Sequence, residues 1–268
     1  MSKNMPWQLK MFQKTLKKKL RLKALRKHLG NLSGEDSLLL VTCGDNNGAM
    51  NYYLREIGGK WSWADYESTS IQEMSELLGD EVIQIKDDSL PFSDNYFSCV
   101  VSIDVHEHLT DPNPFTKELW RVTEPGGKII VTVPSGDEKR LVTKIRNFVG
   151  MTKEKYGHVR EGFTLNELKE LLSNNGFSPV AETSFSKFFT EMLELSINFL
   201  YVNVLSKKKH QSEEADTITP ATQNQLKSVE KTYKMYSLIY PVFWLISRLD
   251  IIFFGSTGYV VMVEGEKD

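Results

Sequence analysis

At 268 residues, with 40% hydrophobic and 25% charged residues and a net charge of −2, the chain has an ordinary globular composition. That suits one domain with additions, or a domain and a half, and sets aside disordered and fibrous classes. The near-neutral total hides a basic start, because Lys3, Lys10, Lys14, Lys17, Lys18, Lys19, Arg21, Lys23, Arg26 and Lys27 have no Asp or Glu among them. These charges interrupt the apolar residues, so no secretory signal peptide is expected. Cys43 and Cys99 are read as buried thiols in a reducing cytoplasm.

Met5, Leu9, Phe12, Leu16 and Leu20 line one face of a basic amphipathic helix within 1–34, and Leu22, Leu25 and Leu29 line another. It is either packed on the domain with a solvated lysine face or drawn to anionic lipid. Nucleic acid is not expected, for want of interleaved aromatics or a recognition motif. Ser37–Thr42 (SLLLVT) is the first core strand and Cys43–Gly48 (CGDNNG) the turn into a helix, Ala49–Ile57. Lys60–Asp65 alternates as a second strand, Ser68–Leu78 is a helix, and Glu81–Ile85 is a third strand followed by Asp87 and Asp88. Phe97–Ile103 (FSCVVSI) and Lys128–Val133 (KIIVTV) have the apolar, β-rich character of strands covered on both faces. The helix Pro114–Val122 between them is long enough to keep them parallel.

Glu138–Val149 is helical. Thr164-Leu165-Asn166-Glu167 is a capping-box arrangement opening a helix that ends at Asn175-Gly176, and Phe177–Phe185 is a strand. Two apolar-aromatic segments follow, Leu195–Leu205 and Tyr236–Phe254, with a polar linker expected to be mobile near 207–219.

The runs LPFSDNYF (90–97), HEHLTDP (106–112), ELWRVTEPGGKIIVTVP (118–134) and GHVREGFTLNELKELLSNNGF (157–177) occur in an order and spacing that resemble class I S-adenosylmethionine-dependent methyltransferases of the small-molecule branch. The resemblance implies an α/β, Rossmann-like seven-stranded sheet, parallel except for one antiparallel C-terminal strand. The core is then 35–185, Gly258–Glu264 within 258–268 is the last strand, and 186–257 becomes an apolar helical insertion. It implies S-adenosylmethionine as cofactor, bound by the loop of Cys43, Gly44, Asp45 and Gly48. Thr42 replaces that loop's usual first glycine, and Leu40 the usual acid on the strand. Asp65 is expected to take the ribose hydroxyls, with Glu67 in reserve. Lys86 stands where an adenine-binding Asp is usual, passing that role to Asp87 or Asp88. Asp104 borders the methyl-donor pocket, His108 is structural, and His106 or Glu107 is a candidate general base at the ligand end of the strand. His158 and Arg160 are acceptor-side candidates, His158 with a possible catalytic role. The cluster Asp104–His108 invites a metal reading, but side chains on a strand-end loop diverge and the sequence offers no third, distant ligand, so no metal is expected.

Tyr236–Phe254 has about the 20 residues of a membrane span. A single span would part the last strand from its own sheet, so helices lying in the membrane interface on the cytoplasmic face, or capping the active site, are expected, with a soluble lid or dimer surface as the alternative. The leading function is methyl transfer to a small or lipid-linked acceptor, in cell-surface polysaccharide or glycolipid synthesis. The alternative is a non-catalytic methyltransferase-fold scaffold or partner subunit at the membrane. A dinucleotide oxidoreductase ranks last, since CGDNNG lacks G-x-G-x-x-G.

Overall fold

The computed structural model describes residues 5–44, 46–67, 69–200 and 223–268. The expected linker at 207–219 lies outside them, as does Asp45. Seven strands, β1 (Ser37–Thr42), β2 (Lys60–Asp65), β3 (Val82–Gln84), β4 (Phe97–Ile103), β5 (Thr123–Pro134), β6 (Phe177–Phe185) and β7 (Val260–Lys267), form one sheet in the order β3-β2-β1-β4-β5-β7-β6. β7 runs antiparallel to both β5 and β6, and the pairs from β3 through β5 are parallel. The expected sheet is therefore present, with β1, β2, β4 and β6 at their anticipated boundaries and β7 extending three residues further.

The central strands are apolar at successive positions because both sheet faces are covered. Leu39, Val41, Val100, Ile129, Val131 and Val133 pack on one side with Phe115, Leu119 and Val122 of α5 (Asn113–Val122) and Leu168 and Leu172 of α7 (Leu165–Asn174). Leu38, Leu40, Val101 and Ile130 pack on the other with Leu54 of α3 (Ala49–Arg55) and Met74 of α4 (Ile71–Leu78). The capping box at Thr164 and Glu167 forms as expected and starts α7.

The N-terminal segment differs from a single helix. It is α1 (Trp7–Phe12) and α2 (Lys17–Leu29), separated by a turn. The break lets Leu9 and Phe12 from the first, and Leu22, Leu25 and Leu29 from the second, all join the α3/α4 face of the sheet. These leucines complete the core, so the segment reaches solvent with its lysines.

After β6, α8 (Phe188–Leu200) packs on α6 (Leu141–Phe148) through Leu195 and Val142. Among the described residues the longest helix is α9 (Gln223–Ser247). Both of its ends are tied to the same body. The Gln223 N–H donates to both carboxylate oxygens of Glu73 at 2.7 and 2.8 Å. Beyond the other end, Asp250 accepts the N–H groups of Lys187, Phe189 and Thr190. Tyr233, Tyr236 and Tyr240, one face of α9, donate their hydroxyls to the carbonyls of Lys10, Lys14 and Thr15.

Candidate functional site

Parallel strands of an open α/β sheet aim their carboxyl ends at one crevice. Here that edge carries Thr42, Asp65, the Lys86–Asp88 turn, Asp104 and the loop after Pro134. The turn after β1 has lost two glycines of the usual pattern, and side-chain hydrogen bonds replace them. The Thr42 hydroxyl donates to Asp65, and Asn46 Nδ2 donates to Thr42 Oγ1 at 3.1 Å and to Asn51 Oδ1 at 2.8 Å. Asn46 and Asn47 in turn accept from the N–H groups of Gly48 and Ala49, as short Asx turns. Gly48, with φ 83°, is where glycine is required: a Cβ would lie 3.1 Å from Leu77 Cδ2 and 3.3 Å from Met74 Cα.

Asp65 stands at the end of β2 as expected, but it is fully buried. Besides the Thr42 hydroxyl it accepts the Gly44 N–H at 3.0 Å and the Glu67 N–H at 2.7 Å. Burial raises its pKa, with the three donors acting the other way. A carboxylate so engaged holds the loop in shape, whereas Glu67, two residues on, is exposed, with its Cβ 3.4 Å from where a Gly44 Cβ would sit. Cys43 nearby is half-buried rather than fully buried as expected, and burial, with the charges of Asp65, Glu107, Glu67 and Asp104, pushes its thiol up to about 12. It is held as the neutral thiol. At the third strand end, Asp87 and Asp88 both have positive φ (53° and 55°). Asp88 accepts the Tyr66 hydroxyl at 2.7 Å, and Asp87 is exposed.

Asp104, also at positive φ, has both carboxylate oxygens against Arg21 Nη2, at 2.7 and 2.6 Å. Arg21 is nearly buried, and the sequence signal for it was only a charge in a helix read as solvated. His106 is turned into the core between Phe115 and Phe163, with Nδ1 3.4 Å from Ser102 Oγ. Burial, helped by Arg160, pulls its pKa down to about 3, so it is a neutral imidazole without exposure to an acceptor. This corrects the expectation of His106 as a base: the 3₁₀ turn His106–His108 rotates that ring inward.

Glu107 is fully buried too, and neither of its carboxylate oxygens has a hydrogen-bond partner among the described residues. Burial, then the charge of Asp104, raises its pKa well above the ordinary range. The loop after α6 docks on this turn. Val159 N–H donates to the Glu107 carbonyl at 3.0 Å, His108 Nδ1 is 3.1 Å from the Gly157 carbonyl, and the His108 and His158 rings meet edge-on at 4.6 Å. One ligand atom each from Glu107, His108 and His158 lies within 4.8 Å of the others. The third, distant group that the sequence did not offer is thus His158, brought in by the fold.

A polar cavity of about 550 Å³ opens beside this loop, lined by Thr110, Asn113, Arg160, Glu161 and Glu167 among others. It includes none of Gly44, Asp65 and Asp104, but Gly136 and Glu138 of the loop after β5 line it.

Residues 39–131 match the family model described as a methyltransferase domain. The chain is 27% identical over 114 residues to the ubiquinone/menaquinone biosynthesis C-methyltransferase UbiE of Haemophilus ducreyi, covering 37% of this chain and 44% of that one. It is 26% identical over 149 residues to UbiE of Shewanella woodyi, covering 47% and 59%. The chain spans about half the length of the curated relatives it matches. Among solved structures, the YcgJ protein of Bacillus subtilis is similar at a TM-score of 0.55 and 14% identity, over 92% of this chain and 98% of that one. The geranyl diphosphate C-methyltransferase of Streptomyces coelicolor, in complex with Mg²⁺, geranyl-S-thiolodiphosphate and S-adenosyl-L-homocysteine, is similar at 0.55 and 12%, over 93% and 76%. At such identities the structures speak for the fold alone. Residues 39–131 are thus similar to a methyltransferase domain, and the whole sheet has the class I, Rossmann-like fold.

Proposed function

We propose that this protein transfers the methyl group of S-adenosylmethionine to a small or lipid-linked acceptor at a membrane surface. The observation that carries the reading is the hydrogen-bonded turn after β1 at the crevice end of the sheet, in which Thr42 and the Gly44 N–H donate to Asp65 and Asn46 donates to Thr42. A scaffold with no ligand to hold has no use for so closely specified a loop. The residues present suit the cofactor: Gly44 takes a positive φ of 69° at the crevice end of β1, and the exposed carboxylates of Glu67 and Asp87 would accept from the ribose hydroxyls and the adenine amino group. When bound, the cofactor supplies an activated methyl group on a sulfonium. The chain's part is to align the acceptor with that methyl and exclude water, a contribution of proximity and orientation. In this reading Asp104, paired with Arg21, would border the donor side, and His158 and Arg160 would face the acceptor.

The membrane part of the proposal rests on α9 and the 3₁₀ turn Arg248–Phe253. Tyr233–Phe253 is long and apolar enough by composition to cross a membrane, and only 6% of its most apolar window is buried. Met235, Leu238, Val242, Leu245 and Leu249 form an exposed stripe at helical spacing, continued by Ile251, Ile252 and Phe254. Both helix ends hydrogen-bond to one body, which favours a helix lying on a bilayer over one crossing it. Lys14 and Lys19 sit over the Tyr240 ring at 5.1 and 5.5 Å, on the face of α9 opposite the stripe, and the attraction to anionic lipid rests on the charge of the N-terminal segment as a whole. An acceptor with an apolar chain suits such a surface. The ubiquinone/menaquinone-pathway relatives and the geranyl diphosphate enzyme favour that class, and a lipid-linked sugar of cell-surface polysaccharide or glycolipid synthesis is within it.

The deciding experiment is calorimetric titration of the full chain with S-adenosylmethionine and S-adenosylhomocysteine. Binding of both at micromolar level supports the enzyme. No binding by folded protein turns the reading to a methyltransferase-fold scaffold, the alternative that the saturated Asp65 and the Arg21–Asp104 pair favour.

A further inference from the structure

We propose that Glu107, His108 and His158 form a binding site for a divalent transition-metal cation of the zinc or manganese type on the acceptor side of the crevice. Their ligand atoms lie within 4.8 Å of one another although the two segments are far apart in sequence. The independent sign is Glu107 itself. A fully buried carboxylate with neither oxygen paired is costly to keep, and a bound cation would satisfy it without any change of fold.

The surroundings support the same assignment. His108 Nδ1, 3.1 Å from the Gly157 carbonyl, is placed to donate its proton there, which fixes the tautomer and leaves Nε2 as the ligating atom. The Val159 N–H bond to the Glu107 carbonyl clamps the loop that delivers His158, so the third ligand comes on a fixed backbone. Asp104 adds negative potential at Glu107, offset in part by its partner Arg21. Two imidazoles and one carboxylate match the preferences of zinc, manganese or iron(II), whereas magnesium and calcium favour all-oxygen sets. Three protein ligands also leave an open position, the pattern of metal sites that engage a substrate.

Resting on the methyltransferase reading, this narrows the acceptor to one presenting a hydroxyl. An acceptor hydroxyl at the open position would release its proton to water more readily. Its oxygen would then form the new bond to the methyl carbon as the carbon–sulfur bond of the sulfonium breaks, leaving the neutral thioether.

The test uses the full chain stripped with a chelator, titrated separately with zinc chloride, manganese chloride and magnesium chloride, alongside S-adenosylhomocysteine. One equivalent of zinc or manganese is expected to bind, and His158→Ala and Glu107→Gln are each expected to weaken it by about tenfold or more. Metal-free Glu107→Gln should be at least as heat-stable as the metal-free parent, since it removes an unpaired buried carboxylate, and added metal should no longer raise its melting temperature. No binding of either transition metal overturns the proposal, as does binding that survives in both variants, or magnesium binding as tightly as zinc. S-adenosylhomocysteine binding without metal binding sinks only the metal site. Metal binding without S-adenosylhomocysteine binding keeps the site and sinks the methyltransferase reading.

Discussion

Arg21 on α2 meets Asp104 at the end of β4 with one guanidinium nitrogen 2.7 and 2.6 Å from the two carboxylate oxygens. The pair ties the basic N-terminal segment to the donor side of the crevice and holds Asp104 in its left-handed conformation. Replacing Arg21 by Met keeps the aliphatic packing and leaves the acid without its partner. Removing one member of a buried pair costs roughly 3–5 kcal/mol, and since Asp104 keeps 23% side-chain exposure the expected loss is about 2 kcal/mol. Urea denaturation measures it, and an unchanged midpoint would mean that the pair is ornamental.

Asp65 and Glu67 are expected to fail differently. Thr42→Val deprives Asp65 of a donor inside the core and should cost about 1–3 kcal/mol of stability, with weaker S-adenosylhomocysteine binding as the loop loosens. Glu67→Ala, at an exposed site, should lower that affinity about tenfold or more while leaving stability within about 0.5 kcal/mol. Calorimetry and thermal melts on the same samples separate the two. Equal affinity in Glu67→Ala and the parent would return the ribose role to Asp65.

Both thiols are held protonated by burial: those of Cys43 and Cys99 are each pushed up to about 12. The folded protein binds these protons more tightly than the unfolded chain, so the linked stability is present below pH 9 and is lost as pH rises toward 12. Native protein at pH 8 should resist iodoacetamide for hours, with rapid labelling of both cysteines in urea. Mass spectrometry of the alkylated protein reads the result.

The stripe on α9 provides a surface test that leaves the core alone. Leu238→Glu with Leu245→Glu should abolish co-sedimentation with anionic vesicles, since each apolar side chain entering lipid contributes about 1.5–3 kcal/mol. Zwitterionic vesicles should bind the parent more weakly, through loss of attraction to the N-terminal lysines. Parent protein that stays in the supernatant with both vesicle types would instead mark the stripe as a protein-docking face.

Most of the sheet was legible locally, although β5 begins at Thr123, five residues before the expected Lys128. SLLLVT, FSCVVSI and KIIVTV are apolar at successive positions because they lie between two layers of helices, and that burial is written locally in each strand. The cap at Thr164 depends on four consecutive residues and could likewise be read directly. The break between α1 and α2 was not legible, since each half alone is a good amphipathic helix and only the shared sheet surface makes the chain turn between them. His106 illustrates the same limit at the site: its type suggested a base, and a single 3₁₀ turn decided that it faces Phe115 instead.

What the sequence determined by itself was most of the strands and helices, because periodicity and turn residues report the burial of each segment, while the order of the sheet and its crevice end were implied by the resemblance. What only the tertiary structure decided was which side chains meet there: Arg21 with Asp104, Asp65 with Thr42 and Gly44, and His158 with Glu107 and His108. Each of these contacts joins segments distant along the chain. Their distances are set by the twist of the sheet and the docking of loops, quantities that no local pattern of residues carries.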